Sequence, residues 1–377
     1  MTGLRIEFIT DDWSAQIQDE NGYSEIGGAG WIRMEMIRRI LNERGHTCVI
    51  GRGVITWDGL IRVQDRDTGR VPEQPPDIIV MQRLMGKEVL PSMKAAQSCG
   101  IKVVQDVDDA HYAIPTDNAA FWGSHPKNNP DANRAIYHEV LKKSDHIVVS
   151  TPTLEQAYRD RTGRPTTLIR NTLDFRYWPE PDFDKIHRVD VPTYGWVGAT
   201  PWRVRDLKLL GGILGPFAAR NGVKVHHSGS IIGGYQFNEL THLGPDVQYT
   251  QQPMAVMKDY PALFDPLQVS LVPLTLSEFN DAKSYLKGAL ESVACGLPYI
   301  ASPTAEYRYA QEAYGVGRLA LKPKEWLKHL GALLDPEVRI EEAKRQYDAL
   351  KTYGDAQTAA TAYEQMFTEV LAQPSMF

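Results

Sequence analysis

Two lysines and a glutamate spaced four apart, Lys283, Lys287 and Glu291, are the residues best placed by type and spacing to do chemistry. They lie in the stretch SEFNDAKSYLKGALESVACGLPYIAS, Ser277–Ser302. Its apolar positions Ala282, Tyr285, Leu286, Ala289, Leu290, Val293 and Ala294 predict an amphipathic helix, then a turn and a buried strand. On that helix the three charged residues stack on one stripe. Lysines four apart repel by roughly 0.2–0.5 kcal/mol, and cations near a helix N-terminus oppose its dipole. A bound anion reverses both penalties, because helix N-termini favour phosphate. Glu291 then stands two turns on, where it can accept from sugar hydroxyls. The implied ligand carries a diphosphate at one end and a ribose at the other; the bland alternative is a solvated charged face.

Asp106, Asp108, Asp109 and His111 form the densest polar cluster, just after an apolar run that reads as a buried strand. Three chemistries are open to it. The Asp-x-Asp spacing can hold a divalent metal; one carboxylate can act as a base or stabilise a cationic transition state; or the group caps a helix and fixes a turn. A glycine loop, Gly27-Gly28-Ala29-Gly30, sits between a strand and a helix, where the backbone can approach a ligand. Gly198-Ala199-Thr200 closes a later strand, with Arg203 and Arg205 following at a helix start. Residues 226–230 (HHSGS) end the next strand, and the small Ser228-Gly229 turn leaves room for a flat base. His226 and His227, adjacent in a strand, face opposite ways and cannot jointly chelate a metal.

These residues need a frame, and the pattern supplies one. Strand-like runs at Leu4–Ile9, Thr47–Ile50, Ile78–Met81, Lys102–Gln105, His146–Ser150 and Thr166–Ile169 alternate with helical patterns at Gly28–Arg44, Lys87–Ser98, Asp131–Lys143 and Thr153–Arg161. That alternation predicts an α/β fold with parallel sheets. Periodicity fails between Tyr177 and Pro192, where prolines and charges accumulate, and the stretch reads as a linker. The pattern restarts with strands at Thr193–Val197, Lys224–Ser228, Val247–Tyr249, Val269–Val272 and Tyr299–Ala301 and helices near Val204–Arg220, Met254–Leu263 and Ala282–Ala294. The expected organisation is an N-terminal Rossmann-like domain over 1–176, a linker over 177–192, a C-terminal Rossmann-like domain over 193–355 and a closing helix over 356–377 that packs on the first domain. Ligands of such sheets bind beyond the carboxyl ends of the strands.

With 377 residues the chain suits two cores, and 42% hydrophobic with 23% charged residues is ordinary for a globular enzyme. A net charge of −6 gives no general footprint for nucleic acid or acidic membrane. Three dispersed cysteines, Cys48, Cys99 and Cys295, point to reduced thiols and a cytoplasmic location. The N-terminus lacks a signal-peptide pattern, and no apolar run is long enough to span a bilayer.

The order and spacing of several segments resemble GT-B-fold glycosyltransferases of the retaining, family 4-like group. They are IGGAGWIRMEMIRRILNERGHTCVI, KVVQDVDDAHYAIP, HIVVSTPTLEQAYRDRTGRPTTLIRNTLD, YGWVGATPWRVRDLKLL and DPLQVSLVPL leading into Ser277. The resemblance implies two Rossmann-like domains facing across a cleft and a nucleotide-diphosphate sugar, UDP- or GDP-linked, as donor substrate, with no tightly bound cofactor and no metal. The family carries a Glu-x7-Glu pair; Glu291 matches the second, ribose-binding glutamate, and Lys283 stands where the first would be. A divergent subset has Asn-x-x-Lys-Ser-x-x-Lys-x-x-x-Glu, which Asn280, Lys283, Ser284, Lys287 and Glu291 fit. By the same resemblance Arg203 and Arg205 face the diphosphate, Gly198, Thr200, Ser228 and Gly229 line the nucleotide, and Gly27 and Gly28 face the transferred sugar or acceptor. Asp106, Asp108, Asp109 and His111 fall near the place of a histidine that lies beside the donor sugar. Asn171 and Asp174 match a structural turn.

Such enzymes retain anomeric configuration, commonly by front-face attack in which the leaving phosphate helps accept the proton. The Lys-Ser-x-x-Lys form and Trp31-Ile32-Arg33 are similar to enzymes of bacteriophage genomes and bacterial surface-polysaccharide clusters, whose acceptors are glycans, proteins or modified DNA bases. The location implied is a bacterial or phage-infected cytoplasm. A second reading is therefore transfer to a hydroxymethylated DNA base, with Arg33, Arg38, Arg39, Lys142 and Lys143 as a phosphate-contacting patch. A third is a GT-B-shaped binding or scaffold protein without activity, motivated by Lys283, and a nucleotide-sugar epimerase stands further off.

Overall fold

Runs such as IIVMQ at Ile78–Gln82 and KVVQDV at Lys102–Val107 are buried at every position. Parallel strands covered on both faces require such continuous burial. The computed structural model describes residues 3–18, 24–124, 133–230 and 235–374. The chain forms two compact units. The first comprises Met1–Ile114, Phe121–Asn171 and Ala356–Phe377, the second Pro115–Ala120 and Thr172–Asp355.

The first unit holds β1 (Arg5–Thr10), β2 (Trp13–Gln18), β3 (Ser24–Ile26), β4 (Thr47–Ile55), β5 (Ile61–Asp65), β6 (Ile78–Gln82), β7 (Lys102–Val107), β8 (His146–Val149) and β9 (Thr166–Leu168). Its seven-stranded sheet has the order β5-β4-β1-β6-β7-β8-β9. All neighbours are parallel except β4 and β5, which form an antiparallel edge hairpin. β2 and β3 pair as a separate small ribbon. The order reverses direction at β1, flanked by β4 and β6, so loops after β1 and β6 diverge and open a crevice. The helix from Pro152 to Thr162 shows how local sequence sets these elements. Thr151 Oγ1 accepts from Leu154 N at 3.2 Å at its start, and Gly163, at φ +68°, ends it.

The second unit holds β10 (Thr193–Val197), β11 (Lys224–Ser228), β12 (Tyr249–Gln252), β13 (Val269–Val272), β14 (Tyr299–Ala301) and β15 (Arg318–Leu319). They form one parallel sheet, β12-β11-β10-β13-β14-β15, with its reversal at β10. Its core gathers Tyr194, Leu207, Leu214, Val225, Phe237, Leu271, Ile300 and Trp326.

Several expectations need correction. Residues 177–192 are no loose linker: they carry a helix at Phe183–His187, and Trp178 and His187 are buried within the second unit. His187 Nε2 bonds the Gly296 carbonyl at 2.8 Å, and Arg339 donates to the His187 carbonyl at 2.8 Å. Their prolines and charges are the outer face of a packed segment. The unit boundary falls between Asn171 and Thr172, and Pro115–Ala120 joins the second unit as a strap. The strap is pinned by Asn118 Nδ2 to the Trp202 carbonyl at 3.2 Å and by Ala119 N to the Pro201 carbonyl at 3.4 Å. The helix expected over Val204–Arg220 is two helices, Val204–Lys208 and Leu214–Asn221, and the strand expected at Val247–Tyr249 starts at Tyr249. The first two residues of the helix expected at Asp131–Lys143 lie outside the described residues; the described part begins at Asn133. The hairpin β4–β5 and the ribbon β2–β3 went unforeseen in part because their polar positions break the apolar runs.

Candidate functional site

At the carboxyl edge of the first sheet, Asp11 and Asp12 follow β1, Arg83 follows β6, and Asp108 and Asp109 follow β7. Arg83 organises them. Its Nη1 donates to Asp12 Oδ1 at 3.2 Å, its Nη2 donates to Asp108 Oδ2 at 3.2 Å, and Asp109 lies 3.9 Å away. Arg83 sits at φ +60°, a region that costs a non-glycine residue on the order of 1 kcal/mol. No sequence pattern marks Arg83 or Asp12, because each acts through partners far along the chain. Burial pushes the Asp108 carboxyl up, with Arg83 opposing and Asp109 adding to the rise. Burial also raises the Asp11 carboxyl, so Asp108 and Asp11 are both shifted toward holding a proton.

The glycine loop is fitted to Asp12. Asp12 Oδ2 accepts from Gly30 N at 2.8 Å, and a Cβ on Gly27 would stand 2.4 Å from Asp12 Oδ1. Gly27 is thus glycine because a carboxylate packs on it. Gly28 is exposed, and a Cβ there would meet nothing within 4 Å, so it is the loop position that faces open space. After the loop the helix opens into a π-helical turn, Trp31–Glu35, which buries Arg33.

Arg33 overturns two expectations. Its Nε donates to Asp106 Oδ1 and Oδ2 at 2.8 and 2.9 Å, its Nη1 to the Ile169 carbonyl and Asn171 Oδ1 at 2.9 Å each. Asp106 also accepts from Tyr363 Oη at 2.7 Å and Gln82 Nε2 at 3.2 Å, and is fully buried. Asp106 is therefore a core anchor and leaves the candidate catalytic set. Asn171 serves the same network. Of the expected phosphate-contacting patch, Arg33 is buried, Arg38 and Arg39 are tied to Glu35 at 2.7 and 2.5 Å, and Lys142 pairs with Glu139 at 3.5 Å at the surface beside Lys143. His111 is buried with its ring edge-on to Tyr137 at 5.2 Å, a core position beside the aspartates.

In the second unit the Ser277–Ser302 stretch does not form one helix. Ser277 Oγ caps a single turn, Glu278–Asp281, accepting from Asn280 N at 3.2 Å. The chain then leaves helical geometry and resumes as a π-helical segment, Leu286–Ser292. Side chains cause the break. Asn280 Nδ2 is held by Asp206 Oδ1 and the Thr275 carbonyl at 2.9 Å each, and Gly288 N is taken by Tyr307 Oη at 3.1 Å. Ser292 Oγ bonds the Lys287 carbonyl at 2.6 Å and widens the turn. The expected stripe of three is therefore corrected. Lys283 lies in the break, its ammonium 4.1 Å from the centre of the Phe279 ring, and Ser284 follows it. Lys287 and Glu291 alone share the stripe.

Those two converge with Tyr260, which no sequence pattern marked. Lys287 Nζ donates to Glu291 Oε2 at 2.8 Å and to Tyr260 Oη, while Tyr260 Oη donates to the same Oε2 at 3.1 Å. Glu291 is buried and Lys287 about one-third exposed, so the pair offers a fixed ammonium backed by a fixed carboxylate. Burial, then Glu291, push the Tyr260 hydroxyl well above its ordinary value, so it stays protonated.

Gly198 and Gly229 meet at the ends of β10 and β11. Gly198 N donates to the Ser228 carbonyl at 2.8 Å, and a Cβ on Gly229 would lie 1.8 Å from the Gly198 oxygen. Both sit at φ near +150°. His227, stacked on Trp196 and Phe237, donates from Nε2 to the Gly198 carbonyl at 2.9 Å, fixing this turn from below. Thr200 and Ser228 are corrected from ligand contacts to supports. Both are buried: Thr200 Oγ1 donates to the Tyr235 carbonyl at 2.7 Å, and Ser228 Oγ donates to the Leu263 carbonyl at 2.6 Å. Asn280 joins them as a clamp on Asp206. Arg203 reaches Asp206 at 3.4 Å, and exposed Arg205 pairs with Asp117 of the strap at 2.9 Å. A small recess between them is lined by Asp117, Trp202, Arg203, Arg205, Phe279 and Asn280.

Among the described residues no group of three or more His, Cys, Asp or Glu side chains is placed to hold a metal ion, and no helix is long and apolar enough to cross a membrane. No protein-family model and no curated protein sequence matches the chain. Solved structures do. A sucrose-phosphate synthase from Thermosynechococcus elongatus superposes with a TM-score of 0.63 at 14% identity, covering 98% of this chain and 99% of its own. The catalytic domain of starch synthase IV from Arabidopsis thaliana, bound to ADP and acarbose, gives 0.63 at 12% identity over 98% and 100%. An alpha-glucosyltransferase in complex with UDP-glucose and DNA containing an abasic site gives 0.60 at 11% identity over 97% and 100%. The architecture is the GT-B fold of glycosyltransferases.

Proposed function

We propose that the protein transfers a sugar from a nucleotide-diphosphate sugar to an acceptor hydroxyl with retention of configuration. The observation that carries this reading is the Lys287–Tyr260–Glu291 arrangement on a GT-B frame. A partly exposed ammonium held against a buried carboxylate suits a ligand whose diphosphate and ribose lie a few ångströms apart. In this reading Lys287 neutralises the diphosphate, Glu291 binds ribose, and Arg203, Arg205 and Lys283 add positive charge around the leaving group. Gly198 and Gly229 let the ends of two strands pack closely together, and in this reading the nucleotide lies against that turn.

The first unit's edge takes the acceptor side. In this reading Asp108, Asp109 and Asp12 around Arg83 supply negative charge to stabilise a sugar cation, and Gly28 leaves room at the loop. The leaving phosphate accepts the acceptor proton, so no protein nucleophile is needed. Neighbours of this fold were solved with ADP, with UDP-glucose, with the glycan mimic acarbose and with DNA. For this chain a UDP- or GDP-sugar donor fits the reading, and the engagement of Arg33, Arg38 and Arg39 with acidic partners weighs against DNA as acceptor.

Calorimetric titration of UDP, GDP and ADP, with and without Mg²⁺, tests the donor site. One diphosphate should bind without metal, and Glu291→Ala should weaken it by about tenfold or more, equivalent to about 1.4 kcal/mol. Absence of binding by all three nucleotides would remove the transferase reading and leave the inactive scaffold as the better account.

A further inference from the structure

Most tryptophans of the chain hide at least part of the indole, but Trp57 is 99% exposed. It stands at the tip of the β4–β5 hairpin, and the tip is a built structure. Gly59 N donates to the Thr56 carbonyl at 2.8 Å, Thr56 N to the Leu60 carbonyl at 3.0 Å, and Gly59 takes φ +81°. This is a turn closed by a glycine bulge, a fixed hairpin geometry. The Thr56 hydroxyl adds contacts to the Asp58 carboxylate and the Leu60 carbonyl. An indole held in water on so ordered a turn adds nothing to the core, and with half-exposed Ile55 it gives the tip an apolar surface.

Register gives the tip its direction. β1 and β4 run parallel, and their pairing ends at Ile9 and Gly51, while β4 continues to Ile55. The hairpin therefore projects past the carboxyl edge of the first sheet, on the side of Asp11, Asp12 and Arg83. Arg52, on the projecting part, lies 5.2 Å over the ring of Trp13, which is fixed by its indole N–H on the Thr10 carbonyl at 2.7 Å. One rim thus carries Trp13 beside the aspartates and Trp57, with half-exposed Ile55, further out.

We infer that this rim is a track for a saccharide chain, with Trp57 stacking on a ring of the acceptor distant from the reacting hydroxyl. The inference rests on the acceptor assignment proposed above. Charge selects the partner class. Nucleic acid or an anionic membrane needs cations near the aromatic tip. Here the neighbouring charge is Asp58, whose carboxyl the Thr56 hydroxyl holds below its usual range. Of the flanking arginines, Arg62 is neutralised in a buried pair with Glu7, and exposed Arg52 is held over Trp13 beside the acidic Asp11. An apolar face beside a carboxylate suits a neutral polyol, whose C–H face covers the indole and whose hydroxyls donate to the acid.

The test uses the full chain and its Trp57→Ala and Trp57→Phe variants, with maltohexaose, cellohexaose and chitohexaose as probes. A duplex carrying hydroxymethylcytosine and phosphatidylglycerol vesicles serve as the opposing arms, and UDP is titrated into every sample. At least one hexasaccharide should bind wild type and quench indole fluorescence. Trp57→Ala should weaken it by about tenfold or more, Trp57→Phe by less, and neither should change UDP affinity. Hexasaccharide binding unaffected by Trp57→Ala, no hexasaccharide binding at all, or a Trp57 dependence seen only with the duplex or the vesicles would each overturn the inference. Intact UDP binding in those cases confines the failure to this inference; loss of UDP binding in wild type defeats the reading beneath it.

Discussion

The carboxyl edges of the two sheets share a topology and differ in charge. In the first unit Asp12, Asp108 and Asp109 gather around the guanidinium of Arg83, and Asp11 feels both Arg52 and Arg83. In the second, Arg203 pairs with Asp206, Arg205 with Asp117 and Lys287 with Glu291, while Lys283 lies over the Phe279 ring. The same strand order places both groups, because in each sheet the order reverses beside its first parallel strand and the loops diverge there. Charge, then, distinguishes two edges that topology leaves alike. The basic edge suits a diphosphate, and the acidic edge suits a neutral acceptor and a developing sugar cation.

The two units also use buried polar groups differently, and acid should separate them. Burial lowers His187 and His227 of the second unit, and His146 of the first, to about 4. A histidine depressed in the folded state contributes stability that is present above its unfolded value of about 6.5 and is lost as pH falls toward the folded value. Each is worth on the order of 3 kcal/mol across that window. Between pH 7 and pH 4.5 the second unit, where His226 and His329 are lowered as well, should therefore lose more stability than the first. Amide exchange followed unit by unit checks this; equal losses would show that the histidines do not govern acid sensitivity.

Arg33→Met sharpens the comparison from the other side. It leaves Asp106 buried without its main partner and should cost the first unit about 3–5 kcal/mol in urea unfolding. A cost below about 1 kcal/mol would mean that Asp106 is protonated or hydrated and is no anchor. Smaller effects are expected at the edges themselves. Lys287→Ala should weaken UDP about 10- to 100-fold and Arg83→Ala should leave UDP affinity intact while lowering transfer. Equal effects of the two on UDP would erase the division. Arg205→Ala should weaken UDP only about two- to threefold, since the side chain is exposed and Asp117 already faces it.

Sequence alone reached the alternating α/β pattern and the two parallel sheets, because buried parallel strands are largely apolar and helices repeat at their own period, and the GT-B frame came from the family its segments resemble. It also marked Glu291, Lys287, Gly198 and Gly229, whose types are dictated by local chemistry and sterics. Tertiary structure decided the rest. Whether Asp106 is a catalyst or an anchor depends on Arg33 and Tyr363, which come from distant parts of the chain. Lys283 left the helical stripe because Asn280, Tyr307 and Ser292 divert backbone and side-chain hydrogen bonds that a periodic pattern assumes are spent within the helix. Tyr260 and Arg83 carried no periodic or motif signal, since a residue that acts by meeting a partner far along the chain leaves its mark only in space. The exposure of Trp57 is of the same kind: its neighbours predict a turn, but only the hairpin's reach past Gly51 puts the indole in water.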